Sequence, residues 1–117
     1  MPLHLPDHFI IHPDVARALK ENLPVVALES AVITHGLPRP TNLETAIEMQ
    51  DIIRAEGAIP ATIAVLDGNI HIGLTNAELE HLANLDGTRK ISRRDFGYAI
   101  AGRKSGGTTV AGTMIAA

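Results

Sequence analysis

Four aliphatic residues in succession, Val25-Val26-Ala27-Leu28, stand between Pro24 and the carboxylate of Glu29. A run this short, without polar alternation and closed by a proline, suits a strand covered on both faces. That requirement points to α/β layering, with helices packed over a largely parallel sheet. Glu29 then falls at the carboxyl end of the strand, where ligands gather in open α/β sheets. An acid there must be partnered, protonated or engaged, because burying it uncompensated is costly.

The core has to be aliphatic, since the 117 residues include two phenylalanines, one tyrosine and no tryptophan. The length is enough for one core. Scarce aromatics argue against single-stranded nucleic acid, which binds on stacking platforms. A net charge of −3 offers no basic excess to offset a phosphate backbone. Any phosphate recognised is therefore expected to be one small group held by a few side chains. The absence of cysteine excludes disulfides and thiolate zinc sites, and fits a reducing cytosol. Met1 to Ile10 lacks the basic region and unbroken apolar run of a secretory signal. No apolar stretch has the length of a membrane span. A cytoplasmic protein acting on small molecules, with no nucleic acid or membrane partner, is the expectation.

Residues 1–12 read as an extended arm, and residues 13–117 as α/β domain. Pro13 can open a helix running to Asn22, with Val15, Leu19 and Leu23 inward. Val25–Leu28 reads as a central strand. Thr41 and Glu44 have the T-x-x-E spacing of a capping box for a helix over 42–56. Leu43, Ala46, Ile47, Met49 and Ile53 form its apolar face, and Gly57 its C-terminal stop. Ala61–Leu66 predicts a strand, Asp67-Gly68 a tight hairpin turn, and Ile70 and Ile72 a returning strand. Thr75 and Glu78 repeat the capping box before a helix over 76–84, with Leu79 and Leu82 inward. A short helical stretch is expected over 96–102. From Val110 the chain is apolar nearly all round and stops without a cap. A layered sheet with flanking helices, as an incomplete portion of a larger α/β domain, is therefore the expected fold.

Two readings compete for Glu29: a structural carboxylate paired with Lys90 or an arginine, and a general acid/base. His35, in Thr34-His35-Gly36, reads as a hydrogen-bond anchor, and no metal site is expected from the histidines, since the four-residue spacing of His4, His8 and His12 falls in the extended arm rather than on a helix face. Lys90-Ile91-Ser92-Arg93-Arg94-Asp95 is either a solvated charged turn or an anion site. Gly106-Gly107-Thr108-Thr109 is either a backbone approach to a ligand or a flexible turn with a threonine N-cap. Lys104 lies in a polar turn with no apolar enclosure to make it nucleophilic, and is not a candidate.

Together these stretches resemble the N-terminal part of the pseudouridine-5′-phosphate glycosidase family. The matching residues are Val25–Ser30, Ile33–Gly36 with Pro38, Pro40 and Asn42, Glu56–Ala64, Gly73-Leu74, Lys90–Asp95, and Gly106–Ala111 with Thr113-Met114. The resemblance implies reversible cleavage of the C–C glycosidic bond of pseudouridine 5′-phosphate to uracil and ribose 5-phosphate. It casts Glu29 as proton donor, and Lys90 and Val110 as substrate-binding residues. His35, Ser92, Arg93 and Thr109 are supporting candidates. It also implies a Schiff-base lysine and a manganese ligand, both expected beyond residue 117, and a trimeric homo-oligomer. Two departures stand out: Leu37-Pro38-Arg39-Pro40-Thr41, and Phe96-Gly97 where Leu-Pro is usual. The alternatives are a non-catalytic phosphosugar- or nucleotide-binding fragment, and a related C-ribosyl synthase.

Overall fold

The computed structural model describes residues 7–117, so the first half of the expected arm lies outside the described residues. The rest of the arm is not free. Phe9–Ile11 (β1) pairs in parallel with Asn69–Ile72 (β4), Phe9 opposite Ile70 and Ile11 opposite Ile72. Helix α1 (Pro13–Lys20) follows, with His12 as N-cap accepting from the Asp14 N–H, and Pro13 in the first turn. Its buried residues are Val15 and Ala18. Leu19 and Leu23, expected inward, are both 44% exposed, because the helix stops at Lys20 and presents a narrower stripe than the four-residue spacing implied.

The sheet is built on β3 (Ile59–Leu66), which is buried from Pro60 onward. Its alternation divides the core. Ala64 and Leu66 face Ile33, Ala46 and the α3 (Asn76–Asn84) side chains Leu79 and Leu82. Ile63 and Val65 face Ile70, Ile91, and Phe96 and Ala99 of α4 (Phe96–Ala101). Asp67-Gly68 makes the predicted two-residue turn, with φ of +49° and +81°, and β4 returns antiparallel with Leu66 opposite Asn69. On its other edge β3 carries two strands end to end. β2 (Val25–Leu28) runs parallel along residues 59–62, and β6 (Gly106–Thr108) runs antiparallel along Ala64 and Val65. β5 (Arg89–Ile91) pairs in parallel with β6, completing a mixed six-stranded sheet.

Further expectations change. Val25–Leu28 is not central: among the described residues β2 pairs only with β3, and Val26 and Ala27 are exposed. The central strand is β3. The capping box at Thr41 is also absent. Helix α2 (Thr41–Ala55) begins directly after Pro40, which makes no side-chain cap, so Thr41 occupies the first helical position. Asn42 serves instead. Its Oδ1 accepts from the Leu43 N–H at 2.9 Å, and its Nδ2 donates to the carbonyls of Ile33 and Ala83. The buried stripe of α2 is Asn42, Ala46 and Gln50, with Gln50 Nε2 donating to Thr62 Oγ1 at 2.7 Å; Met49 is exposed. Polar side chains with fixed partners thus hold positions that the apolar count gave to neighbours. The second capping box is present in full: Thr75 Oγ1 accepts from Glu78 N, and Glu78 Oε1 accepts from Thr75 N. Gly57, at φ +86°, follows α2 as expected.

His71 on β4 is buried, with Nδ1 3.2 Å from Glu78 Oε2. Burial lowers its pKa and outweighs the opposing pull of the Glu78 and Asp67 carboxylates, so the imidazole is held neutral. A folded-state pKa below the ordinary 6.5 means that the unfolded chain binds the proton more readily. The stability that His71 confers is therefore complete above pH 6.5 and is lost as pH falls through its lowered pKa. Urea unfolding between pH 8 and pH 5 is expected to show a steeper acid-side loss in the parent than in His71→Gln. Parallel curves would contradict the neutral assignment.

Candidate functional site

Because β2 and β6 run toward each other along one edge of β3, their carboxyl ends meet opposite Ile63. Ser30, two residues past β2, and Thr108, the last residue of β6, are both fully buried there. The Ile63 carbonyl accepts from Ser30 Oγ at 2.5 Å and from Thr108 Oγ1 at 2.7 Å. The Thr108 N–H donates to Ser30 Oγ at 2.8 Å, and the Ser30 N–H donates to the Thr108 carbonyl at 3.0 Å. Since the Thr108 hydroxyl proton is committed to Ile63, the 2.8 Å contact between the two threonine hydroxyls is a bond donated by Thr113. Thr113 belongs to α5 (Val110–Ala116), so this hydroxyl knot ties two strand ends and a helix to one carbonyl.

Gly107 makes the junction possible. A Cβ there would stand 2.5 Å from both the Ser30 carbonyl oxygen and Thr34 Oγ1. The glycine pair is thus a buried strand packed on protein backbone, rather than a turn or a ligand cradle. Thr109 does cap α5, accepting from the Gly112 N–H at 3.2 Å.

The residues flanking the knot surround an open cleft of about 410 Å³. Its walls include Glu29 from the end of β2, Lys90 from β5, and Thr109 and Val110 from the end of β6. Ala31, Val32, His35 and Gly36 complete it. The last three lie in a π-helical turn, Val32–Gly36, that folds back over the strand ends. His35 is an anchor as expected, its Nδ1 2.6 Å from Thr34 Oγ1. Lys90 reaches the cleft because β5 runs parallel to β6, with Lys90 opposite Gly107. Among the described residues no side chain forms an ion pair or hydrogen bond with the Glu29 carboxylate, so neither Lys90 nor an arginine neutralises it.

Five of the seven site residues expected from sequence therefore share one cleft: Glu29, His35, Lys90, Thr109 and Val110. Ser92 and Arg93 do not line it. Ser92 donates from its N–H and its Oγ to Asp95 Oδ2, at 2.9 and 3.1 Å, and Arg93 lies exposed in the 3-10 turn that follows. Those bonds, with Arg94 and Arg89 nearby, hold the Asp95 carboxyl below its ordinary pKa. The knot residues Ser30, Thr108 and Thr113 were not read as a unit. The available signal was a small hydroxyl residue closing each of two apolar or glycine-rich strand ends. No three His, Asp or Glu side chains among the described residues are grouped to hold a metal ion. Among the described residues no helix is long and apolar enough to cross a membrane.

A mixed α/β sheet with its candidate site where strand ends converge defines the class of the protein. The family model described as indigoidine synthase A like protein matches residues 14–117, and the chain belongs to that family. Curated relatives carry the name pseudouridine-5′-phosphate glycosidase, in agreement with the resemblance read from the motifs. The one from Dinoroseobacter shibae is 60% identical over 97% of this chain, and the one from Rhodospirillum centenum 57% identical over 95%. This chain spans 37% and 34% of their respective lengths. Among solved structures, a prealnumycin C-glycosynthase in complex with ribulose 5-phosphate superposes with a TM-score of 0.82 at 41% identity, over 96% of this chain and 36% of that one. An indigoidine synthase A-like protein from Thermotoga maritima gives 0.80 at 31% identity, over 98% and 38%.

Ser30→Ala removes the acceptor for the buried Thr108 N–H. A stability loss of roughly 1–3 kcal/mol is expected from chemical denaturation. Faster hydrogen exchange should appear first at Thr108. Unchanged stability and exchange would show that the knot does not hold the strand ends together.

Proposed function

We propose that this chain supplies one wall of an active site that reversibly cleaves the C–C glycosidic bond of pseudouridine 5′-phosphate, giving uracil and ribose 5-phosphate. The observation that carries this reading is the convergence of Glu29, Lys90 and Val110, from three separate stretches, on one open cleft. The names of the curated relatives supply the substrate class.

The scissile bond joins two carbons, so no heteroatom leaves and paired-carboxylate glycoside hydrolysis does not apply directly. As the bond breaks, its electron pair stays on the uracil carbon, which takes a proton from the Glu29 carboxyl. In the reverse direction the Glu29 carboxylate takes that proton back as the new bond forms. Lys90 holds the 5′-phosphate as a point charge, and Val110 gives the sugar or base an apolar wall. The positive charge left at the anomeric carbon falls to a lysine Schiff base on the ring-opened sugar, a role assigned to no residue of this chain. Manganese belongs to the same reading, but the described residues offer it no ligand group. Cytoplasmic location and trimeric assembly belong to this reading too.

A second reading, carbon–ribose bond synthesis, is favoured by one observation: the C-glycosynthase neighbour matches nearly the whole chain. It would use Glu29 and Lys90 in the same places, in the bond-forming direction.

The test is a chimera of this chain with the remaining two thirds of the Dinoroseobacter shibae relative. It is expected to release uracil from pseudouridine 5′-phosphate. Glu29→Gln should slow release by roughly 10²–10⁴-fold, while ribose 5-phosphate still binds. Release persisting near the parental rate would remove Glu29 as the acid.

A further inference from the structure

Thr34 and His35 lie in the π-helical turn, a rare conformation that recurs at functional sites. The turn is firmly held. Asn42 Nδ2 donates to the Ile33 carbonyl at 3.1 Å, and the Leu37 N–H donates to the Val32 carbonyl at 3.0 Å. The Thr34 hydroxyl has one proton and two acceptors in reach, His35 Nδ1 at 2.6 Å and the Ala31 carbonyl at 3.4 Å. The shorter contact suits an O–H donor and falls well below the usual length of about 2.9–3.0 Å for an N–H donor. Thr34 therefore donates to Nδ1, and the ring carries its hydrogen on Nε2. Among the described residues Nε2 has no protein partner, and the ring lines the cleft.

Lys90 stands on the same side. It is the partner of Gly107 across β5 and β6, and partners in a ladder share a sheet face. That face is the one on which Gly107 meets the Thr34 hydroxyl. A directed N–H donor is thus held beside the ammonium. We propose that His35 is a specificity-determining residue of the cleft, its Nε2–H donating to an oxygen of the substrate's 5′-phosphate next to Lys90. Thr34 is the positioning residue that fixes the tautomer. The inference rests on the reading of Lys90 as the phosphate contact and adds direction to it. An ammonium on a flexible stem attracts an anion from any side, whereas an N–H on a held ring selects one position for the oxygen.

The test uses the chimera, with binding of ribose 5-phosphate and of ribose measured by calorimetry, and the His35 ring followed by ¹⁵N NMR in mildly alkaline buffer. His35→Phe keeps a flat ring without a donor, and should weaken ribose 5-phosphate by roughly 10-fold or more and ribose hardly at all. His35→Gln keeps an N–H near the Nε2 position and should lose about threefold at most. Thr34→Val should turn the Nε2–H pattern of His35 into a mixture of tautomers and weaken ribose 5-phosphate by about threefold to tenfold. Thr34→Ser should restore both. Equal losses for the two sugars, parental affinity in His35→Phe, or an Nδ1–H ring in the parent would overturn the proposal. Failure of the proposed reaction reads differently. A chimera that shows these binding losses but releases no uracil removes the reaction and leaves the inference. Uracil release with unchanged ribose 5-phosphate affinity in His35→Phe does the reverse.

Discussion

The Ile63 carbonyl carries the geometry of the candidate site. It sits at the midpoint of the central strand, where β2 ends from one direction and β6 from the other. A carbonyl at such a gap has no ladder partner, and a buried one without a partner is costly. Two hydroxyls, Ser30 and Thr108, satisfy it, and their side chains and backbones also bond to each other. Each tied residue has a cleft residue as its immediate neighbour: Glu29 precedes Ser30, and Thr109 follows Thr108. Fixing the knot therefore fixes both sides of the opening. Gly107 is required by the same contact, since any side chain there would strike the Ser30 carbonyl.

The arrangement separates structural from functional polarity. The buried polar groups of the junction (Ser30, Thr108, Thr113) bond among themselves and to backbone, and no buried side-chain nitrogen or oxygen among the described residues lacks a partner. Glu29 and Lys90 take no part in that network and line the same open space without pairing. A carboxyl and an ammonium left free on a shared wall suit a substrate that brings its own charge and its own proton demand. That division supports the reading of a phosphorylated ribose held at one end and protonated at its carbon substituent at the other.

Much of the fold was legible because local signals agreed with the global arrangement. The Asp67-Gly68 turn, the Thr75–Glu78 capping box and the aliphatic β3 each carry their cause within a few residues. What was not legible depended on distant partners. Asn42 and Gln50 had no place on the apolar face expected of α2, yet they are buried because Ile33, Ala83 and Thr62 come to meet them. Val25–Leu28 read as central because it lacks alternation, but composition cannot distinguish an edge strand with an uncovered apolar face from a covered one. Gly106-Gly107 read as either a backbone approach to a ligand or a flexible turn, while here they admit close packing between strands. For the site, Glu29, Lys90 and Val110 were drawn from motif resemblance, and topology accounts for why residues as far apart as Glu29 and Val110 share a cleft. In the charged run after Lys90, Ser92 and Asp95 bond to one another and do not line the cleft.

The central claim is that the strand-end junction makes one phosphosugar cleft with Lys90 as its phosphate contact. Amide chemical-shift titration of the chimera with ribose 5-phosphate and with ribose tests it directly. Saturable shifts are predicted at Glu29, His35, Lys90, Thr109 and Val110. Lys90→Ala is predicted to weaken ribose 5-phosphate by roughly 10–100-fold and ribose hardly at all. No binding, shifts centred away from these residues, or equal losses for both sugars would contradict it.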